Sequence, residues 1–254
     1  MAIKNLRVLF LGAPMMENKG DFTFRNGDGI PILSPFLSYL IETDNGYVLV
    51  DTGMHPDDCL TMAKIKGETA TVAPEDRLPN RLTELGLKPT DIDTVIVTHL
   101  HIDHIGYLSL FRHAEIYIQK WELEFALRMP YTDAIRFPER YQSLEGLRWH
   151  PVDGDAAIAP GITLLHTPGH SVGHQSVMVR LPEEGFIIIA GDAAFLKESL
   201  EKEYIPMPWS SARDAYLSIK KINTLAAVLS AEVFPGHDYE FYMKEMRHFP
   251  ECYV

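Results

Sequence analysis

The sequence predicts a mixed α/β fold whose strands fall into two groups, one ending near Ile118 and one starting near Ile162. Three observations carry this. Short apolar runs bounded by Gly, Asp or Asn recur in both groups and read as buried strands. Each group holds a run that stops on an aspartate: Asp51 after Tyr47 to Val50, and Asp192 after Phe186 to Ala190. Segments with apolar residues at helical spacing fill the intervals. Periodicity alone goes no further than mixed α and β.

Leu6 to Gly12 reads as the first strand. Pro14 to Pro31 is rich in Gly, Asn, Asp and Pro, with Met15, Met16, Phe22 and Phe24 interspersed, and reads as a long loop. Phe36 to Thr43 and Tyr47 to Val50 flank Asp44-Asn45-Gly46, and Asn-Gly between two such runs is a strong hairpin signal. Glu75 to Leu85 and Lys120 to Met129 carry helical spacing. Thr94 to Thr98 and Ala114 to Ile118 read as strands, and the remainder up to Pro151 as helix and loop. Ile162 to His166, Val177 to Leu181, Phe186 to Ala190 and Ala231 to Phe234 are the later strands. Ser211 to Leu229 reads as an amphipathic helix with Ala215, Tyr216, Ile219, Ile222, Leu225 and Ala226 on one face. Ser211 is placed to cap it.

A chain of 254 residues can bury a full core, and no linker interrupts it, so residues 1–254 are read as one domain. The formal net charge of −12 opposes phosphate backbones, and no Lys/Arg cluster suggests a basic groove. No nucleic-acid partner is therefore expected. The first residues lack the apolar stretch of a signal peptide, and no run approaches membrane-spanning length. Cys59 and Cys252 form no motif and read as reduced thiols. Together these favour a cytoplasmic protein with no membrane partner. A homodimer is compatible with the sequence, although no motif specifies one.

The chemistry concentrates in His99-Leu100-His101-Ile102-Asp103-His104, directly after an apolar strand. Residues two apart in an extended segment point the same way, so His99 and His101 can grip one metal together. Asp103 and His104 follow a turn and can face a second metal. Imidazole and carboxylate suit zinc, iron, cobalt or manganese. Further ligand-type residues stand at strand ends beside Gly or Pro: His170 in Thr167-Pro168-Gly169-His170, Asp192 after Gly191, and His237 in Pro235-Gly236-His237.

The motif H-x-H-x-D-H, the later His, the Asp and the last His, in this order from about Tyr39 to His237, resemble the metallo-β-lactamase superfamily. The resemblance implies an αββα sandwich, two mixed β-sheets with helices outside. It implies two divalent metal ions, zinc first, with iron, cobalt or manganese as alternatives. His99, His101 and His170 would hold one, Asp103, His104 and His237 the other, and Asp192 would bridge. Paired metals make a nucleophile from water at neutral pH and clamp a carbonyl, and Asp103 is the carboxylate best placed to carry a proton to the leaving group.

Within the superfamily, Leu49 to Met54, Leu164 to His170, Gly173 to Ser176, Gly191-Asp192-Ala193 and the ending Phe249 to Val254 look like the N-acyl-homoserine lactone lactonases. That resemblance implies opening of a neutral lactone with an apolar acyl tail, that is, quorum quenching. The alternative is another lactone, or a thioester as in glyoxalase II-like enzymes. Those usually carry a helical region after the last metal His, whereas 17 residues follow His237 here (254 − 237). A binding protein on a degenerate member of the fold would be expected to have lost ligands, and all seven are present.

Two positions depart from the lactonase pattern. The Tyr expected three residues after the bridging Asp is Phe195, and a glycine pair after the motif is Gly106-Tyr107. Phe195 and Tyr107 are therefore the candidate substrate contacts. Met15, Met16, Phe22, Phe24, Met207 and Trp209 either line an acyl-chain groove or pack the core. Asp51 and His174 read as residues that orient ligands, His174 equally well as a structural hydrogen bonder. His55, His113, His150, His166 and His248 read as ordinary structural or surface histidines, and Lys244 with Arg247 as a solvated face.

Overall fold

A computed structural model describes residues 2–128, 132–207 and 210–254. Along the chain, β1 (Ile3–Phe10), β2 (Met16–Asn18), α1 (Lys19–Phe22), β3 (Pro31–Leu33), β4 (Leu37–Thr43) and β5 (Gly46–Val50) lead to α2 (Pro56–Ile65) and α3 (Leu78–Glu84). Next come β6 (Ile92–Ile96), α4 (Ile102–Ile105), β7 (Glu115–Gln119), α5 (Lys120–Arg128), α6 (Thr132–Arg136), α7 (Pro138–Gln142) and β8 (Arg148–Val152). The second half runs β9 (Ala156–Ala159), β10 (Ile162–His166), β11 (Gln175–Leu181), β12 (Gly185–Gly191), α8 (Lys197–Lys202), α9 (Ala212–Leu229), β13 (Glu232–Pro235) and α10 (Tyr239–Glu245). Among the described residues, no helix is long and apolar enough to cross a membrane.

The strands build a six-stranded sheet ordered β1-β4-β5-β6-β7-β8 and a five-stranded sheet ordered β13-β12-β11-β10-β9. Both are mixed: β5 to β8 pair in parallel and β12 pairs in parallel with β13, while the remaining ladders are antiparallel. Alternation along the strands then sets the layers. Between the sheets, Leu6, Val8, Tyr39, Ile41 and Ile96 of the first meet Leu164, Val177, Ile187 and Ile189 of the second. Leu9, Leu40, Leu49, Val95 and Ile116 point the other way, under Cys59 and Ala63 of α2 and Leu78 and Leu82 of α3. On the far side, Ile188 and Ala190 pack beneath Ile222, Leu225 and Ala226 of α9. The order of layers is helix, sheet, sheet, helix.

Several elements differ from the sequence expectation. The stretch read as one long loop holds β2, α1 and β3, with β2 and β3 paired antiparallel. Asn18 stabilises that excursion, its side-chain oxygen accepting from Gly20 N–H at 3.3 Å and Gly29 N–H at 2.9 Å. The strand expected over Thr94 to Thr98 is Ile92–Ile96, because Ile92 already pairs with Tyr47 and the Thr98 N–H leaves the ladder for the Asp51 carboxylate. Strands β8 and β9 are not legible in the sequence. Both are sheet edges, where Pro151 and an alanine-rich run are tolerated. Helix α2 is a further addition; His55 caps it and Pro56 opens it. Ser211 caps α9 as expected, accepting from Asp214 N–H at 3.2 Å.

The two sheets are tied beside the site. Gln175 at the start of β11 donates through its side chain to Val97 O at 2.8 Å and through its backbone to Thr98 O at 3.0 Å. Gln119 at the end of β7 donates to Gln175 Oε1 at 3.0 Å. This bridge holds the end of β6 against the second sheet.

Candidate metal centre

Loops at one end of the sandwich carry the seven sequence-identified donors. His99 and His101 follow β6, and α4 then turns the chain so that Asp103 and His104 face a neighbouring point. His170 follows β10, Asp192 follows β12 and His237 follows β13. The donors form two adjoining sets, His99/His101/His170/Asp192 and Asp103/His104/His237, each with its ligand atoms within 4.8 Å of one another.

In the first set, His101 Nδ1 lies 2.8 Å from both His99 Nε2 and His170 Nε2. Asp192 Oδ2 lies 3.1 Å from His170 Nε2 and 3.5 Å from His99 Nε2. In the second, Asp192 Oδ1 lies 3.3 Å from His104 Nε2 and 3.1 Å from His237 Nε2. Asp103 Oδ2 is 3.6 Å from His104 Nε2 and 3.7 Å from His237 Nε2. Ligand atoms around a tetrahedral ion with bonds of about 2.0–2.1 Å stand roughly 3.4 Å apart, so these spacings fit a metal at each set. Hydrogen bonding accounts for them less well. One ring proton cannot serve both contacts of His101 Nδ1, and His104 Nε2 is buried with no hydrogen-bond partner among the described residues. Asp192 gives one oxygen to each set.

The opposite ring nitrogens are held by a layer of partners. The His104 Nδ1–H donates to Asp51 Oδ2 at 2.8 Å. The Thr98 hydroxyl donates to the same oxygen at 2.7 Å and stands 3.1 Å from His99 Nδ1, positioned to accept its proton. His237 Nδ1–H donates to the Pro35 carbonyl at 3.0 Å, with Ser34 Oγ at 3.2 Å. His174 accepts from Asp192 N–H at 2.9 Å, which leaves its Nδ1–H for Thr167. Asp51 thus holds the His104 ring and His174 the Asp192 backbone; each touches a donor residue, and for His174 the contact fits both of the readings the sequence leaves open. The roles of Thr98, Ser34 and the Pro35 carbonyl escape sequence reasoning; proximity of Thr98 to the motif is the one available signal.

Burial and mutual proximity set the protonation preferences. Burial, reinforced by neighbouring histidines, pushes His99 and His170 well below the ordinary imidazole range. Burial dominates at His174, pushed down to about 3. At His104 and His237 burial opposes charge, but Asp192 and Asp103 outweigh it and raise both. Burial would raise Asp192, yet His104, His237, His99 and His170 hold it well below the usual carboxylate range.

The donors open onto a cavity of about 670 Å³ lined in part by Met15, Phe22, Met54, Phe195 and Met207. Phe195 stands edge-on to His170 and His237, with ring centroids 5.3 and 5.1 Å away, and Phe22 meets it edge-to-face at 4.6 Å. Of the expected groove residues, Met16 and Phe24 are instead exposed, and Trp209 lies outside the described residues. Tyr107 is not among the described residues that line the cavity. Gly106 is pressed against Gly53 and His55, where a Cβ would come within 2.3 Å of His55 N. The Tyr107 ring lies in the helix-side core, 5.4 Å from the His55 ring. His113 Nε2 contacts Ile92 O and His248 Nε2 contacts Tyr242 O, which are structural roles.

The family model of the metallo-beta-lactamase superfamily matches residues 35–237. The chain belongs to that superfamily. Among its members, an N-acyl homoserine lactonase of Bacillus cereus is 32% identical, with 99% of each chain covered. The N-acyl homoserine lactonase AiiA of Bacillus thuringiensis subsp. kurstaki is 34% identical over 85% of this chain and 86% of its own. A solved structure of an N-acyl homoserine lactone hydrolase, with N-hexanoyl-L-homoserine at its catalytic metal centre, matches with a TM-score of 0.88 at 30% identity over 100% of both chains.

Proposed function

We propose that this protein hydrolyses the ring ester of N-acyl homoserine lactones at two divalent metal ions, zinc first. The observation that carries the reading is Asp192, whose two oxygens serve two adjoining donor sets. Relatives named N-acyl homoserine lactonase over nearly the whole chain support the substrate class. His99, His101 and His170 would hold one ion and Asp103, His104 and His237 the other, with Asp192 between them. When bound, the ions would supply Lewis acidity for the ester carbonyl and lower the pKa of water.

The chain's own residues do the rest. Asp51, Thr98 and the Pro35 carbonyl take the outward ring protons of His104, His99 and His237, leaving the inward nitrogens free as ligands. Asp103 is the more open carboxylate of the site, its side chain 21% exposed against 3% for Asp192. With Oδ2 facing His104 and His237, its Oδ1 is available to carry a proton to the leaving ring oxygen. Phe195 and Phe22 exclude water over the donors, and the methionines of the cavity suit a flexible acyl tail.

The test is acid release from short- and long-chain N-acyl homoserine lactones, followed with a pH indicator, for metal-loaded protein beside His101→Ala and Asp192→Ala. Metal-dependent turnover at a kcat/KM of about 10⁴ M⁻¹s⁻¹ or more is expected. Faster cleavage of a thioester than of every lactone would overturn the substrate assignment.

A further inference from the structure

Helix α5 follows β7 without an intervening loop, so its first turn is carried by the sheet beside the site. Glu122 in that turn is 0% exposed. Its Oε1 accepts from Leu100 N–H and its Oε2 from Gly173 N–H, both at 3.0 Å. Leu100 stands between His99 and His101, and Gly173 stands between His170 and His174. One buried side chain therefore holds both loops that supply the three-histidine set, and these loops come from different sheets. The approach is close: a Cβ on Gly173 would lie 2.4 Å from Glu122 N. Tyr141 OH donates to the Leu100 carbonyl, so that residue is held on both sides. The second set has other anchors, Asp51 on His104 and the Pro35 carbonyl on His237.

We infer that Glu122 is a positioning residue for the His99/His101/His170 set: its carboxylate fixes the separation of the two loops and so governs metal affinity there, and not at the Asp103/His104/His237 set. This rests on the dinuclear reading above. A carboxamide at this position keeps one acceptor but turns an NH₂ group towards the other backbone N–H, which spreads the loops.

The experiment titrates the full chain, freed of metal, with cobalt(II), following visible absorption for wild type and Glu122→Gln, with urea unfolding of each. Wild type is expected to fill two sites. Glu122→Gln is expected to weaken one by about tenfold or more and to change its ligand-field bands, leaving the other within about threefold. Should Glu122→Gln fail to fold, Glu122→Asp carries the same test, because its shorter arm cannot reach both N–H groups. Equal weakening of both sites, or lowered stability with unchanged cobalt spectra and affinities, would overturn the inference. A wild-type protein that takes up no cobalt would remove the dinuclear reading and this inference with it.

Discussion

Asp51→Asn isolates the role of one ligand-orienting carboxylate. Asp51 has a φ of +57°, a conformation asparagine tolerates at least as well, so the backbone is not the variable. The carboxylate takes three protons: Thr98 N–H on Oδ1, and the Thr98 hydroxyl and His104 Nδ1–H on Oδ2. An amide has one acceptor oxygen. If that oxygen keeps Thr98 N–H, the NH₂ group faces His104 Nδ1, and the imidazole must move its proton to Nε2, the atom aimed at Asp192. If the amide flips, His104 is satisfied and the Thr98 N–H is opposed. In the first case the cost falls on the His104 tautomer, and in the second a buried donor loses its acceptor, costing roughly 1–3 kcal/mol of stability. Metal affinity at the Asp103/His104/His237 set should fall about 10–100-fold, equivalent to about 1.4–2.7 kcal/mol. Zinc competition against a chromophoric chelator reads the affinity, and urea unfolding the stability. Wild-type zinc affinity at both sets in a folded Asp51→Asn would refute the reasoning.

Four further outcomes are expected. Gly191→Ala places a Cβ 2.8 Å from His174 Nε2 at a φ of +55°, and should cost about 2–4 kcal/mol in urea unfolding; an unchanged midpoint would mean that the His174 contact is not tight. Phe195→Tyr adds a phenol between His170 and His237 and should raise kcat/KM for lactones about tenfold or more if it reaches the developing oxyanion; unchanged kcat and KM for every lactone would refute this. Burial pushes the Cys59 thiol up to about 11 from 9.0, so native protein at mildly alkaline pH should react with a thiol reagent at Cys252 alone. Because the folded state holds that proton more tightly, Cys59 should also lower stability as pH rises from 9.0 towards 11, a fall that Cys59→Ala should abolish.

The seven candidate donors are legible because their chemistry is unusual: a histidine cluster after an apolar strand has few uses, and His170, Asp192 and His237 each stand at a strand end beside a turn. Of their supports, Asp51 and His174 stand out in the sequence, whereas Thr98, Glu122 and the Pro35 carbonyl do not, because threonine, glutamate and a proline carbonyl are common groups that acquire a role through register. Asp51 and Thr98 are 47 residues apart, and they meet because β5 and β6 run parallel with Val50 opposite Ile96. Glu122 reaches Leu100 and Gly173 across 22 and 51 residues, through two sheets whose packing no local pattern encodes. Tyr107 marks the same boundary from the other side. Its place in the sequence, shortly after the donor motif, suggests a phenol near the site, but the ring lies in the helix-side core beside His55. A side chain's distance from the motif along the chain therefore says little about its distance from the site once the chain has turned; strand register and close backbone approaches set it.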